Sequence, residues 1–165
     1  MFLKRVAVIL VAGAIVSALA GASAIASDVS ADSRIAKGRM SAGLNYPGIG
    51  VRYFFIDSYA GELRCQFEKD ILVMGMRACR YFRRISEVLP YAGLEADFVN
   101  FKGSHSKGTG LAVAVLAGGE YFVWEEKTSV QLDCGTAYLA LADNDYDLNV
   151  SGIEFVVNFG VNYYF

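Results

Sequence analysis

Ten charged residues stand at alternate positions of otherwise apolar segments, and they are the residues that could carry chemistry. Three are arginines and seven are carboxylates: Arg52, Arg64, Arg77, Glu62, Glu68, Glu95, Asp97, Glu120, Asp133 and Glu154. Carboxylates gathered in one space can form an ion path or a proton-active site. Bridged by arginines, the same carboxylates form a packed polar core, because buried charges persist when they are paired and hydrogen-bonded. We favour the packed core.

Two further patterns suggest a metal site or a catalytic base. Calcium-loop spacing is matched by Asp143, Asp145, Asp147, Asn149, Ser151 and Glu154. Leu148 stands where an EF-hand loop needs glycine, and no helical pattern flanks the segment, so we predict no metal there. His105 is the single histidine and has no motif around it, whereas a hydrolase needs a nucleophile, a base and an orienting acid on a rigid frame. The sequence therefore predicts no enzyme, no cofactor and no metal.

The three cysteines indicate no disulfide framework. Cys65, Cys79 and Cys134 are an odd number and widely spaced, which fits neither a set of bridges nor a zinc site. We expect unpaired thiols that behave as small hydrophobic side chains.

Period-two alternation predicts the elements that position these residues. It is clearest at the C-terminus, where Ile153, Phe155, Val157, Phe159, Val161, Tyr163 and Phe165 alternate with mostly polar or small residues. A period of two is that of a strand, not of an amphipathic helix. The same parity recurs before Pro47 and around Val51, Leu63, Met76, Leu94, Val115 and Leu132. Eight antiparallel strands are therefore predicted.

The N-terminus has the composition of an export signal. Lys4 and Arg5 precede an uncharged apolar run, Val6–Ala20, and Ala24-Ile25-Ala26 has the form that a signal peptidase accepts. Fifteen apolar residues fall short of the roughly 20 that a spanning helix needs. We therefore predict a signal peptide at 1–26, a flexible periplasmic leader at 27–37 and a barrel at 38–165.

The charges and aromatic residues predict which face of the barrel is which. One face of the strands carries the ten charges together with glycines and alanines, while the other is apolar, with Arg80 as the main exception near the periplasmic rim. Aromatic residues on the apolar face lie near the strand ends: Phe55, Phe82, Tyr121 and Phe165 at one end, and Phe67, Phe98 and Tyr138 towards the other. An apolar outer face, a polar inner face and two aromatic girdles are typical of a transmembrane barrel with short periplasmic turns and longer outer connections. The longest outer connections are expected at Lys102–Gly108 and Ala142–Ser151.

Three segments resemble small outer-membrane barrels of the OmpA transmembrane-domain kind. They are Tyr46–Phe54, Pro90–Asp97 and the closing Phe159–Phe165. The resemblance implies that Val161, Tyr163 and Phe165 form the signal read by the outer-membrane assembly machinery. We expect no peptidoglycan-binding domain after the barrel, so the resemblance implies no cell-wall tether.

Together these patterns predict an all-β, eight-stranded antiparallel up-and-down barrel in a bacterial-type outer membrane. The expected role is structural, or surface interaction through the external loops, with no enzymatic activity. A small channel or ligand-transfer barrel is the first alternative, and a lipid-modifying enzyme using His105 is the second. The expected partners are outer-membrane lipids and the assembly machinery, with no nucleic acid, since a net charge of −2 provides no basic patch.

Overall fold

The computed structural model describes residues 32–103, 107–124, 126–143 and 148–165, whose strands form one closed barrel. In chain order the strands are β1 (Met40–Tyr46), β2 (Gly48–Ile56), β3 (Tyr59–Glu68), β4 (Ile71–Tyr81), β5 (Val88–Lys102), β6 (Lys107–Val123), β7 (Thr128–Asp143) and β8 (Leu148–Tyr164). Each is antiparallel to its neighbours, and β8 pairs with β1 to close the wall. The predicted all-β, eight-stranded up-and-down barrel is confirmed. Among the described residues, no helix is both long and apolar enough to cross a membrane.

The two faces of the wall have the chemistry that the alternation predicted. On β8, Ile153 and Phe155 are 77% and 70% exposed, whereas Asn158 and Asn162 on the opposite face are buried. The seven aromatic residues assigned to the two girdles are all exposed on the outward face. An apolar surface this continuous is typical of a membrane or protein contact and not of a surface in water.

The strands in the second half of the barrel are longer than those in the first half. β1 to β4 contain 7 to 11 residues, whereas β5 to β8 contain 15 to 17. β8 pairs with β1 only from Phe159 onwards, so Leu148–Asn158 extends beyond the end of β1. The longest connection lies at the inner end, where the six residues 82–87 join β4 to β5. The two outer connections expected to be longest, Lys102–Gly108 and Ala142–Ser151, are reduced to 103–106 and 144–147, because the strands continue into them. The barrel therefore extends further at its outer end because β5 to β8 are long, and not because the outer turns are long.

The segment before β1 packs against the inner end of the barrel. Ser33–Ile35 form a 3-10 turn, and the Asp32 side chain accepts a hydrogen bond from the Arg34 backbone N at 3.0 Å. Ile35 is buried beside Phe54, and its carbonyl accepts a hydrogen bond from Ser58 N at 3.0 Å. From Asp32 onwards the chain is thus held in place, which differs from the flexible leader predicted for 27–37. Residues 1–31, including the predicted signal peptide, lie outside the described residues.

Candidate functional site: the charged lumen

The strands bring most of the ten predicted charged residues together inside the barrel. Arg52, Glu62, Arg77 and Glu95 are direct register partners on β2 to β5, so opposite charges alternate along one row of the wall. Opposite charges at directly facing positions stabilise neighbouring strands. The buried members of the set are Arg52, Glu62, Arg64, Arg77, Glu95, Glu120 and Asp133. We refer to these seven residues as the lumen network.

Arg52 holds the inner half of the lumen network. Its Nε and Nη2 donate to Glu62 Oε2 at 2.9 and 2.6 Å, and its Nη1 donates to Glu120 Oε2 at 3.0 Å across the bore. Nη2 also donates to Gln131 Oε1 at 2.5 Å. One guanidinium therefore joins β2 to β3, β6 and β7. A planar group with five donors is suited to such bridging, because its bonds have fixed directions.

Glu120 is fully buried and is surrounded by donors. Tyr164 Oη donates to its Oε1 at 2.6 Å and Tyr81 Oη donates to its Oε2 at 2.7 Å. Ser129 Oγ and Asn162 Nδ2 also donate to Oε1. A buried carboxylate needs this many donors because an unpaired one costs several kcal/mol.

Arg77 holds the outer half of the network. Its Nε donates to Glu95 Oε2 at 2.7 Å, and its Nη1 donates to Asp133 Oδ2 at 2.9 Å. Asp133 also accepts from Tyr91 Oη at 2.5 Å, Gln131 Nε2 at 2.8 Å and Asn158 Nδ2 at 2.7 Å. Arg64 Nη1 completes this half by donating to both oxygens of Glu95, at 2.9 and 3.1 Å.

The other three predicted lumen residues form none of these ion pairs, although the Asp97 side chain is hydrogen-bonded to that of Glu95. Glu68 and Glu154 are exposed near the outer ends of β3 and β8. Asp97 is half-buried on β5, and its Oδ1 has no hydrogen-bond partner among the described residues. The predicted excess of acids therefore lies towards the outer rim, above the paired charges.

Below the lumen network, aromatic rings close the inner end of the bore. Tyr81 and Tyr91 have ring centroids 5.2 Å apart, as have Phe122 and Tyr164, and Phe54 lies 5.3 Å from Tyr81. The pattern of charged residues did not indicate these aromatic residues, nor the amides of Gln131, Asn158 and Asn162. The sequence could have indicated them, because they occupy the same alternate positions of the strands as the charged residues and so face the lumen.

A solved barrel structure is similar to this one. The barrel matches the crystal structure of the N-terminal β-barrel domain of Pseudomonas aeruginosa OprF, with a TM-score of 0.54 and 16% identity over 78% of this chain and 98% of that chain. The chain has the fold of an outer-membrane β-barrel domain. This confirms, for the fold, the resemblance to OmpA-type barrels. No family model and no curated protein matches the sequence.

The calcium-like segment and the single histidine lie largely outside the described residues, so the predicted absence of a metal and of a catalytic site stays a prediction. Within the described ranges, no three His, Cys, Asp or Glu side chains are placed to hold a metal ion. His105 and residues 144–147 of the calcium-like segment lie outside those ranges. The three cysteines are free: Cys79 is buried with the inner aromatic residues, Cys65 is half-buried and Cys134 is exposed on the outward face. Of the predicted assembly residues, Val161 and Tyr163 lie on the outward face of the inner part of β8, and Phe165, which follows the strand, is exposed as well.

Proposed function

We propose that this chain is an integral outer-membrane barrel without enzymatic activity, which serves envelope structure or surface interaction and not transport. The observation that carries the proposal is the lumen network, which fills the middle of the bore with paired side chains. Eight strands enclose little more than the volume of such side chains. A fixed set of ion pairs leaves no row of hydrated sites along which an ion could move.

The outward surface supports a location in a membrane. Leu63, Met76, Leu111 and Phe155 are among the large apolar side chains that are 63–70% exposed on the barrel wall. In hydrocarbon every backbone polar group needs a partner, and a closed barrel supplies one for most of them. Export through the predicted signal at 1–26 would deliver the chain to the periplasm, and the assembly machinery would then recognise its C-terminal strand.

The uneven wall supports a role at the cell surface. The hairpins β5–β6 and β7–β8 rise beyond the short β1–β2 connection at Pro47. They offer strand surface to an external partner at the outer rim. In this proposal the lumen network keeps the barrel rigid, and the hairpins make the contact.

Epitope insertion in intact cells tests the location and the orientation. A tag placed between Lys69 and Asp70 should be reached by antibody on intact cells. The matched tag between Asp57 and Ser58 should be reached only after permeabilisation. Antibody binding in the reverse pattern, or a chain recovered without detergent, would contradict the proposal.

A deletion strain separates the structural role from the alternatives. Loss of the chain should increase sensitivity to detergents without slowing uptake of small solutes, and the chain with His105→Ala should restore resistance. Slower uptake with an intact barrier would instead support the channel. Failure of the His105→Ala chain alone would support the enzyme.

A further inference from the structure

Arg80 is a buried cation on the face of the barrel that is otherwise apolar. It lies on β4 at the same parity as Met74, Met76 and Ala78, which are exposed on the outward surface. Unlike them, Arg80 is only 7% exposed. Ionisable side chains on a membrane-facing surface are rare and costly, so such a residue is a candidate binding site.

Two aromatic rings hold the Arg80 guanidinium in place. Its Cζ lies 5.6 Å from the centroid of the Tyr59 ring, on the neighbouring strand, and 5.5 Å from that of Phe82, two residues further along. Both distances are within the range of cation–π attraction. The rings fix the position of the charge but do not neutralise it.

Arg80 has no anionic partner among the described residues. Its Nη1 is buried without a hydrogen bond, and none of the carboxylates in the described ranges forms an ion pair with it. The arginines of the lumen network differ in this respect, since Arg52, Arg64 and Arg77 each contact carboxylates within 3.0 Å. A guanidinium left in this state needs an anion from outside the chain.

The level of Arg80 in the wall indicates where that anion lies. It pairs with Tyr59, the first residue of β3, and stands one residue before the end of β4, within the inner aromatic girdle. Aromatic girdles mark the depth of lipid headgroups. Along the register, its neighbour on β5 is Ala92, and Ala117 follows on β6, so small side chains leave room beside it.

We propose that Arg80 binds the phosphate of an anionic phospholipid in the periplasmic-side leaflet. The phosphodiester accepts hydrogen bonds from the guanidinium, while Tyr59 and Phe82 pack against the glycerol and the upper acyl chain. Planar bidentate recognition of phosphate is a property of arginine that lysine does not share. The inference rests on the proposed membrane location.

Native mass spectrometry of the full chain, purified in detergent, tests the site. The protein is titrated with phosphatidylglycerol and, separately, with phosphatidylcholine of the same acyl chains. Phosphatidylglycerol should be retained preferentially, as one molecule per barrel, and Arg80→Gln should reduce that retention about fivefold, the factor expected for one basic residue at an anionic surface. The matched control is Arg83→Gln, an exposed arginine on the same rim, which should retain the lipid as the unmutated chain does.

Several outcomes would overturn the proposal. Equal retention of the two lipids, or equal losses in the two variants, would do so, and displacement of the lipid by millimolar inorganic phosphate would indicate a simple anion site. Should Arg80→Gln not fold, photocrosslinking of the unmutated protein with a diazirine-bearing phosphatidylglycerol decides the question. Label must then fall on the Tyr59–Phe82 region, and label elsewhere would refute the site. A chain that shows heat-modifiable migration but no lipid preference defeats only this inference, whereas one that never forms a barrel defeats the proposed function.

Discussion

Replacing Arg52 with methionine removes the charge at the centre of the inner lumen while keeping most of the side-chain volume. Glu62 would retain Asn45 Nδ2 at 3.1 Å and the Arg64 guanidinium at 3.7 Å. Glu120 would retain its tyrosine, serine and asparagine donors, but the cation paired with it would be lost. Since Glu120 is fully buried, the free energy of unfolding should fall by about 3–5 kcal/mol, as for a buried pair with one partner removed.

Arg64→Met provides the matched control. Glu95 contacts Arg64 but keeps the Arg77 guanidinium, with its Nε at 2.7 Å, so no carboxylate loses its last cation. The expected loss is about 2 kcal/mol, that of hydrogen bonds to a charged group. Adding Glu120→Gln to Arg52→Met should recover part of the stability, because the stranded charge disappears.

Urea unfolding of each variant in lipid vesicles measures these differences. The folded fraction is read from the mobility of unheated samples on gels and from fluorescence of Trp124, the single tryptophan. A loss below about 1 kcal/mol for Arg52→Met is the range of exposed ion pairs. That result, or equal losses in the two arginine variants, would refute the view that Arg52 organises a desolvated network.

Three further predictions concern the inner end, the C-terminus and the wall. Burial opposes ionisation of Asp32, but the hydrogen bonds and charge of Arg34 outweigh it and hold the pKa of Asp32 below its ordinary value. The pair should therefore stabilise the N-terminal turn at neutral pH, and this stabilisation should be lost as the pH falls through the lowered pKa. Hydrogen exchange of the turn measures the effect, and Asp32→Asn should abolish the pH dependence. Deleting Phe165, whose backbone N donates to β1 at 3.0 Å, should reduce outer-membrane yield much more than Phe155→Ala does, measured by fractionation of cells; equal yields would remove the C-terminal signal. Gly135→Ala places a methyl group against the backbone of β6 and should destabilise the barrel by about 1–3 kcal/mol in urea, whereas Gly152→Ala, with open space around it, should change little.

Strand parity predicted the barrel fold and placed the seven residues of the lumen network on one face of the strands, because alternation is a local property of the chain. It did not predict which groups meet across the bore. The contact between Arg52 and Glu120 joins strands that are not neighbours, and it depends on the stagger of the whole barrel. Nor could parity place Ile35, since one apolar residue in a polar segment has no periodicity. Its burial follows from the aromatic side chains that meet it at the inner end.

The height of the wall was also beyond the sequence pattern. The segments around Lys102–Gly108 and Ala142–Ser151 are polar enough to be predicted as loops, yet the strands continue through much of them. Two strands that are already paired can extend their hydrogen bonds into polar residues above the membrane, where side chains of either type are tolerated. The ends of the strands are therefore determined by hydrogen bonding between neighbouring strands, which the residue types of a segment do not predict.

Planar-bilayer recording tests most directly the central claim that side chains close the lumen. The purified barrel, shown to be folded by its heat-modifiable migration, is reconstituted and held under voltage in potassium chloride. The unmutated protein should give no steady ion-selective conductance, and Arg52→Met should produce openings as water enters the loosened network. Steady, ion-selective conductance from the unmutated protein, little changed in the arginine variants, would contradict the account and establish the barrel as a channel.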